Sequence, residues 1–228
     1  LPDLLQKLTE IGLDTSWDGS SWRDLKSTAR KILLGRYDDP IHQKQPLLFL
    51  GDADKGQNLI IFGASRSGKS NLLLTLALGI AQSSSPAQAN IYCLDLGGKS
   101  LLYKIQDLPH VANEGGVISG QDKERINSLF SHLRRQIRAR KKLHQVSVSS
   151  KTTTVPERPD VFILIDGLTS QFAELIDGFN DQLTEIILEG QSLGIFVIIT
   201  ANTYQDVNFK IISYIKNRLV LRPLEKSQ

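Results

Sequence analysis

The segment Gly63–Ser70 (GASRSGKS) constrains this chain more than any other, because it matches the pattern G-x-x-x-x-G-K-[ST]. Glycines in such a loop let the backbone curl until its N–H groups point inward at phosphate oxygens. A helix that begins at the loop adds its N-terminal dipole and its free N–H groups. The apolar run Leu59–Phe62 precedes the loop, and the helical pattern Ser70–Ala81 follows it. The sequence therefore predicts a phosphate-binding loop between a strand and a helix.

Two side chains of the loop have distinct predicted roles. Lys69 supplies a positive charge to the β- and γ-phosphates, and Ser70 offers a hydroxyl to Mg²⁺. The predicted cofactors are therefore ATP and Mg²⁺. The predicted nucleotide-binding residues are Gly63, Ala64, Ser65, Arg66, Ser67, Gly68, Lys69, Ser70 and, from the end of a later strand, Asn202.

A phosphate loop of this kind needs a carboxylate to help hold the magnesium. The apolar run Val161–Ile165 is followed by Asp166, an arrangement that has the form of a Walker B strand. Asp166-Gly167 is also an ordinary turn signal. Beside an intact phosphate loop we favour magnesium binding. Ser70 and Asp166 are therefore the predicted metal ligands, and Lys69 and Asp166 are the predicted catalytic residues.

The residue after Asp166 argues against rapid hydrolysis. Many P-loop ATPases place a glutamate there to polarise the attacking water, whereas this chain has Gly167, which cannot act as a base. Glu185 and Glu189 lie on the next predicted helix. We therefore expect the domain to bind ATP and to hydrolyse it slowly.

Two other strand ends leave alternatives open. Thr200 and Asn202 follow an apolar strand, and a polar group there either senses the γ-phosphate or caps the strand end. The segment Asp95–Lys99 (DLGGK) is either a second loop near the nucleotide or a tight turn.

The remaining pattern predicts an α/β fold with a mainly parallel sheet and helices on both faces. The strand segments are apolar throughout rather than alternating, and helices separate them. Ligands bind beyond the carboxyl ends of the strands in such sheets. The predicted strands are Leu47–Leu50 and Leu59–Phe62 (a candidate hairpin), Ile91–Leu94, Gly115–Ser119, Val161–Ile165, Ile195–Ile199 and Arg218–Leu221. The predicted helices are Ser70–Ala81, Gln121–Gln145 and Phe172–Glu189, with a polar loop at Ser147–Pro159.

Residues 1–40 are predicted to be an N-terminal linker or packing arm. Leu4–Ile11 and Trp22–Leu34 have helical spacing, and Asp38-Asp39-Pro40 ends the second pattern. Residues 41–228 are then the predicted ATPase domain.

Composition excludes some classes of function. A single cysteine rules out an intramolecular disulfide, and no apolar stretch reaches the roughly 18–20 residues that span a bilayer. The four histidines are far apart and show no zinc spacing. The chain has no methionine, so we interpret it as a fragment of a longer protein.

Taken together, the motifs resemble the FtsK/SpoIIIE branch of P-loop ATPases, and more narrowly the EccC/EssC ATPase of type VII secretion. The resemblance covers about Asp38 to Pro223, and its most specific part leads from Asp-Leu-Gly-Gly to Leu-Pro-His-Val. The carrying segments are Asp38–Pro40, Gln43–Pro46, Gly63–Ser70, Tyr92–Gly98, Leu108–Val111, Ile165–Gly167, Leu193-Gly194, Thr200–Asn202 and Arg218-Leu219.

This resemblance implies a RecA-like P-loop NTPase fold and a later (second or third) domain of a tandem ATPase. It implies a position on the cytoplasmic side of the bacterial cell membrane, anchored through a segment outside this fragment. The implied partners are neighbouring ATPase domains, further copies in an oligomer, and the C-terminal signal helix of secreted Trp-x-Gly-class proteins. It also suggests an arginine acting across an interface, with Arg218 and Arg222 as candidates; a surface arginine without a phosphate partner is the favoured alternative.

Two other functions remain open. The same branch contains DNA translocases, and one predicted helix ends in a basic cluster: Arg134, Arg135, Arg138, Arg140, Lys141 and Lys142. We expect this cluster to be a solvated helix end and DNA to be an unlikely partner, because the net charge is only +3. The other function is a regulatory scaffold in which ATP is a structural ligand.

Overall fold

The computed structural model describes residues 16–18, 20–23, 32–50, 56–98, 100–150 and 158–221, with the side chains of 146–150 excepted. Its main feature is a six-stranded sheet in the order β5-β4-β6-β7-β3-β8, and every pairing between these strands is parallel. These strands are β3 (Leu59–Gly63), β4 (Ala89–Asp95), β5 (Ile118–Ser119), β6 (Asp160–Leu168), β7 (Ile195–Ala201) and β8 (Asn217–Leu221).

Helices cover both faces of this sheet, so the predicted α/β architecture is confirmed. Successive residues of a strand point to opposite faces. Ile60 and Phe62 accordingly join the core cluster that contains residues of α2 and α4, while Leu59 and Ile61 join the cluster that contains residues of α1. The helices are α1 (Lys69–Ser83), α2 (Lys123–Ser150), α3 (Ser170–Glu174), α4 (Phe179–Gly190) and α5 (Phe209–Tyr214). Short 3₁₀ turns lie at Leu101–Ile105, Gln191–Leu193 and Tyr204–Asp206.

A separate pair of strands, β1 (Ile32–Arg36) and β2 (Leu47–Leu50), corrects two predictions. The predicted hairpin of 47–50 with 59–62 is wrong, because β2 pairs antiparallel with β1 while β3 enters the main sheet. The predicted helical pattern Trp22–Leu34 is wrong at its end, where Ile32 already belongs to a strand. The reason is tertiary: Ile32 is 1% exposed within the α1-side core. Residues 24–31 and the predicted helix Leu4–Ile11 lie outside the described residues.

Two further boundaries differ from the predicted ones. The predicted helix Phe172–Glu189 is interrupted, because Gly178 adopts a left-handed φ of 67° and begins α4 as its N-cap. Helix α2 continues to Ser150, into the segment that was predicted to be a loop. This sequence holds no glycine or proline before Pro156, so nothing local ends the helix earlier. Residues 151–157 lie outside the described part of the chain.

The described residues of the segment 16–18 and 20–23 pack against the C-terminal end of α1 and against His110. The backbone N–H of Ser16 donates to the Gln82 carbonyl at 2.6 Å, and its hydroxyl donates to the Ala81 carbonyl at 3.0 Å. The Trp22 ring packs edge-on against the buried His110, with centroids 4.5 Å apart. The N-terminal segment is thus in contact with the helix that starts at the phosphate loop. Among the described helices, none combines the length and apolar composition needed to cross a bilayer.

Candidate nucleotide-binding site

The predicted site residues meet at the carboxyl edge of three neighbouring strands. The phosphate loop leaves β3, whose partner β7 ends at Ala201 beside it, with Ile61 opposite Thr200 in the register. Next to β7 lies β6, which carries Asp166. The parallel order of the sheet therefore brings Lys69, Asp166, Thr200 and Asn202 together, although up to 133 residues separate them.

The backbone of Gly63–Ser70 has the shape of an anion cradle. Gly68 (φ 102°) and Arg66 (φ 63°) both adopt left-handed conformations, which turn the chain inward. A Cβ on Gly63 would lie 2.5 Å from Ser67 Oγ and 2.6 Å from the Leu221 carbonyl oxygen, so only glycine fits there. Helix α1 begins at Lys69 without a side-chain cap, which leaves its first N–H groups for an anion.

One buried polar atom supports the fit to phosphate. Among the described atoms, Ser67 Oγ is buried and has no hydrogen-bond partner in the protein. An unsatisfied buried hydroxyl costs free energy unless a ligand or water completes it. The loop residues therefore fit a phosphate group.

Lys69 lies folded over the loop. Its ammonium Nζ donates to the Gly63 carbonyl at 2.7 Å, to the Ala64 carbonyl at 2.9 Å and to Asn202 Oδ1 at 3.0 Å. Partial burial lowers the pKa of Lys69 below its ordinary value, and the charges of Asp166 and Asp206 oppose this shift. The contact with Asn202 links the loop after β7 to the phosphate loop, and the role of Asn202 in nucleotide binding stays a prediction.

Asp166 is held by Thr200 on the neighbouring strand. The Thr200 hydroxyl donates to Asp166 Oδ1 at 2.6 Å and accepts from the Gly167 N–H at 2.8 Å. Thr200 is fully buried and Asp166 is 4% exposed. The sequence allows Thr200 to be either a γ-phosphate sensor or a strand-end cap. In the structure, its hydroxyl forms hydrogen bonds with Asp166 and Gly167.

Strand β6 does not end at Asp166, as the sequence had suggested, but continues to Leu168. Ile165 pairs with Ile199 and Leu168 with Ala201, so β6 has one extra residue here, a β-bulge. The bulge sits at Asp166-Gly167, beside the candidate metal site. Ser70 and Asp166 offer the hydroxyl and carboxylate oxygens that Mg²⁺ prefers, so these residues fit that ion.

The other carboxylates near the sequence motifs have structural partners. Asp95 accepts hydrogen bonds from the backbone N–H groups of Gly98 (2.8 Å) and Ser100 (3.1 Å), which makes its segment a tight turn. Glu185 and Glu189 form ion pairs with Arg134 (4.0 Å) and Lys141 (2.9 Å) across the α2–α4 contact. None of the three is therefore a candidate for the missing catalytic base.

Arg218, one of the two candidate arginines, and Arg140 of the basic cluster are engaged within the protein. The Arg218 guanidinium donates to the carbonyls of Ile215 and Ile212 at the end of α5. Arg140 donates to the carbonyls of Leu193, Gly194 and Pro159. Arg222 lies outside the described residues.

Sequence reasoning missed two residues of the loop after β7. The Tyr204 ring stacks on Phe62 with centroids 4.2 Å apart, next to the start of the phosphate loop. Asp206 contributes to the field at Lys69 and accepts hydrogen bonds from the N–H and hydroxyl of Thr203 at 2.9 Å. The segment Thr203–Asp206 matches no motif, so only the polar residues directly after the strand gave a signal.

Comparison with known proteins gives the family of this chain. The FtsK/SpoIIIE family model matches residues 39–227, which include every described residue of the site. The chain belongs to the FtsK/SpoIIIE family. One relative in this family, the ESX-1 secretion system protein EccCb1 of Mycolicibacterium smegmatis, is 30% identical over 213 residues. That match covers 88% of this chain and 35% of the relative, so the chain spans about a third of the relative's length.

Two solved structures of EssC and EccC ATPases share the fold. EssC (ATPases 2 and 3) from Geobacillus thermodenitrificans is 27% identical with a TM-score of 0.75, covering 87% of this chain and 38% of that chain. Thermomonospora curvata EccC (ATPases 2 and 3), solved in complex with a signal sequence peptide, is 22% identical with a TM-score of 0.70, covering 91% and 38%. The RecA-like P-loop fold is thereby confirmed.

Proposed function

We propose that this FtsK/SpoIIIE domain binds ATP·Mg²⁺ as part of a type VII secretion ATPase and hydrolyses the nucleotide slowly. The observation that carries the proposal is the position of Lys69, whose ammonium lies over the phosphate loop and contacts Asn202. Lys69 and the N–H groups of Gly63–Ser70 would hold the phosphates, and Ser70 and Asp166 would hold the magnesium ion. The ion supplies charge neutralisation at the phosphates when bound.

The wider setting is also a proposal. We propose that residues 41–228 are the ATPase domain, that residues 1–40 are its packing arm, and that the full protein sits on the cytoplasmic side of the membrane with further ATPase domains. The similarity to ESX secretion proteins and to EssC (ATPases 2 and 3) supports this placement. A C-terminal signal helix of a secreted protein is the proposed partner, since one structural neighbour was solved with a signal sequence peptide.

Nucleotide binding is tested by thermal unfolding with the Lys69→Ala variant. Saturating ATP·Mg²⁺ should raise the Tm of the natural chain by mass action, by about 5–10 °C at 100 times Kd or more. Lys69→Ala should unfold at nearly the same temperature without ATP but lose this increase, because the phosphates lose their cation.

Lys123→Ala provides the matched control, since Lys123 is an exposed lysine on α2. This variant should keep the full ATP-dependent rise in Tm. The absence of any rise in the natural chain, or a full rise in Lys69→Ala, would overturn the proposed function.

A further inference from the structure

Three glycines lie side by side at the carboxyl edge of β5, β4 and β6. Gly120 follows β5, Gly97 follows β4, and Gly167 lies in the bulge of β6. The sheet order β5-β4-β6 places the Leu96-Gly97 segment between the other two glycines. Position 167 follows the predicted magnesium ligand Asp166.

Gly167 has no room for a side chain. Its φ is +83°, and a Cβ there would lie 2.9 Å from Gly97 N and 3.0 Å from Gly97 Cα. Both atoms belong to the backbone, so the clash cannot be relieved by a rotamer change. A side chain at position 167 is therefore excluded both by the neighbouring backbone of Gly97 and by the positive φ of Gly167 itself.

The Leu96-Gly97 segment cannot move aside easily. On the β6 side, the Leu96 N–H donates to the Asp166 carbonyl at 2.9 Å. On the β5 side, the Gly120 N–H donates to the Asp95 carbonyl at 2.7 Å, and a Cβ on Gly120 would lie only 3.1 Å from Leu96 Cα. A shift of the segment away from Gly167 would therefore stretch the hydrogen bond to Asp166 and disturb the hydrogen bond between Gly120 and Asp95.

We infer that the backbone of the Leu96-Gly97 segment, held between β5 and β6, excludes every side chain from position 167, so that the site holds ATP without being able to carry a water-activating residue after Asp166. The lack of a catalytic base after Asp166 then follows from the packing of the backbone around position 167, and a single substitution at that position does not supply one. The link to ATP rests on the proposed function, whereas the steric exclusion does not.

Alanine variants without nucleotide test the exclusion. Gly98→Ala is the matched control, because Gly98 has a similar φ of +73° in the same turn and nothing lies within 4 Å of its Cβ position. The strain of φ alone should lower the Tm of Gly98→Ala by about 3 °C. Gly167→Ala should lose at least twice as much. Gly97→Ala, whose Cβ would meet nothing closer than 3.8 Å, should lose less than Gly98→Ala.

Equal losses for Gly167→Ala and Gly98→Ala would overturn the inference. This comparison needs no ATP, so it can fail while nucleotide binding stands, and a missing ATP-dependent rise in Tm leaves it intact.

Gly167→Glu gives a second test by hydrolysis. The natural chain should release phosphate well below about 1 s⁻¹, and Gly167→Glu should show no gain. A folded Gly167→Glu variant with at least tenfold faster release would overturn the inference, because it would demonstrate room for a working base. If Gly167→Glu is not recovered folded, as the clash predicts, the alanine series decides alone.

Discussion

Thr200 connects two groups that the sequence analysis treated separately. Its one hydroxyl donates to the Asp166 carboxylate and accepts the Gly167 N–H, so it positions the candidate magnesium ligand and satisfies the bulge. All of this occurs at a fully buried position, where an unpaired polar group is costly. Thr200 is therefore a positioning residue that acts through Asp166.

Thr200→Val is expected to weaken magnesium-dependent ATP binding and to lower stability. Valine keeps the shape but leaves a carboxylate oxygen and an N–H without their partner, which costs about 1–3 kcal/mol in unfolding free energy. Urea unfolding gives the stability, and calorimetric titration with ATP, with and without Mg²⁺, gives the binding effect.

Thr184→Val separates the binding effect from general destabilisation. Thr184 is also buried, and its hydroxyl donates to the Asn180 carbonyl at 2.6 Å within α4. This control should alter stability without changing the ratio of ATP affinities with and without Mg²⁺. The same ratio in both variants would contradict the role given to Thr200.

The phosphate loop and Asp166 could be predicted from the sequence because their residue types follow one another closely along the chain. The phosphate loop and Asp166 each stand next to the strand that presents them. The contacts of Thr200 with Asp166 and of Gly167 with Gly97 were not readable, because they depend on the register between strands 33 and more residues apart. A sequence shows that Gly167 lacks a carboxylate but not that a carboxylate has no space there.

Among the elements, α2 is fastened to the sheet by Arg140. Its guanidinium donates to the Leu193 carbonyl at 2.6 Å and the Pro159 carbonyl at 2.7 Å, so it joins the turn before β7 to the segment before β6. The side chain is half-buried. One member of the basic cluster is therefore a structural connection between three elements.

Arg140→Ala should destabilise the chain by about 2–3 kcal/mol, because charged hydrogen bonds to partly buried carbonyls are lost. Arg138→Ala, an exposed neighbour on the same helix, should change the unfolding free energy by less than about 0.5 kcal/mol. Chemical denaturation of both variants measures the difference. Equal effects would show that Arg140 contributes only its charge.

Strands were predicted correctly where both of their faces are buried. The prediction was wrong where the pairing partner of a strand had to be chosen. The segments 161–165 and 195–199 are apolar on both faces, and both are central strands of the sheet. The segment 47–50 was also correctly predicted as a strand but assigned to the wrong partner, because adjacency in sequence favours a hairpin over the actual pairing with β1. The break at Gly178 was hidden by apolar spacing that continues across it.

For the molecule as a whole, the arm and the ATPase domain share one core. Strand β1 lies before the predicted boundary at residue 40, yet it pairs with β2 beyond that boundary and buries Ile32 among α1 residues. The boundary between residues 40 and 41 stays a prediction. The boundary is tested by comparing the stability of residues 41–228 with that of residues 32–228.

A chain of residues 41–228 should unfold at least about 5 °C below a chain of residues 32–228. The difference arises because β2 loses its only strand partner in the described part of the chain, and Leu50, now 2% exposed, loses cover. Circular dichroism during heating of both pieces measures it. Equal melting temperatures would make 41–228 the independent domain.

The docking of residues 16–23 also decides what one common measurement can report. Both tryptophans of the chain, Trp17 and Trp22, lie in this segment, with ring centroids 4.9 Å apart. Fluorescence excited selectively in tryptophan therefore reports the arm and its contacts, which include the buried His110, and not the interior of the six-stranded sheet. A shift in emission on adding ATP would show that the arm responds to the phosphate loop, about 20 Å away along α1.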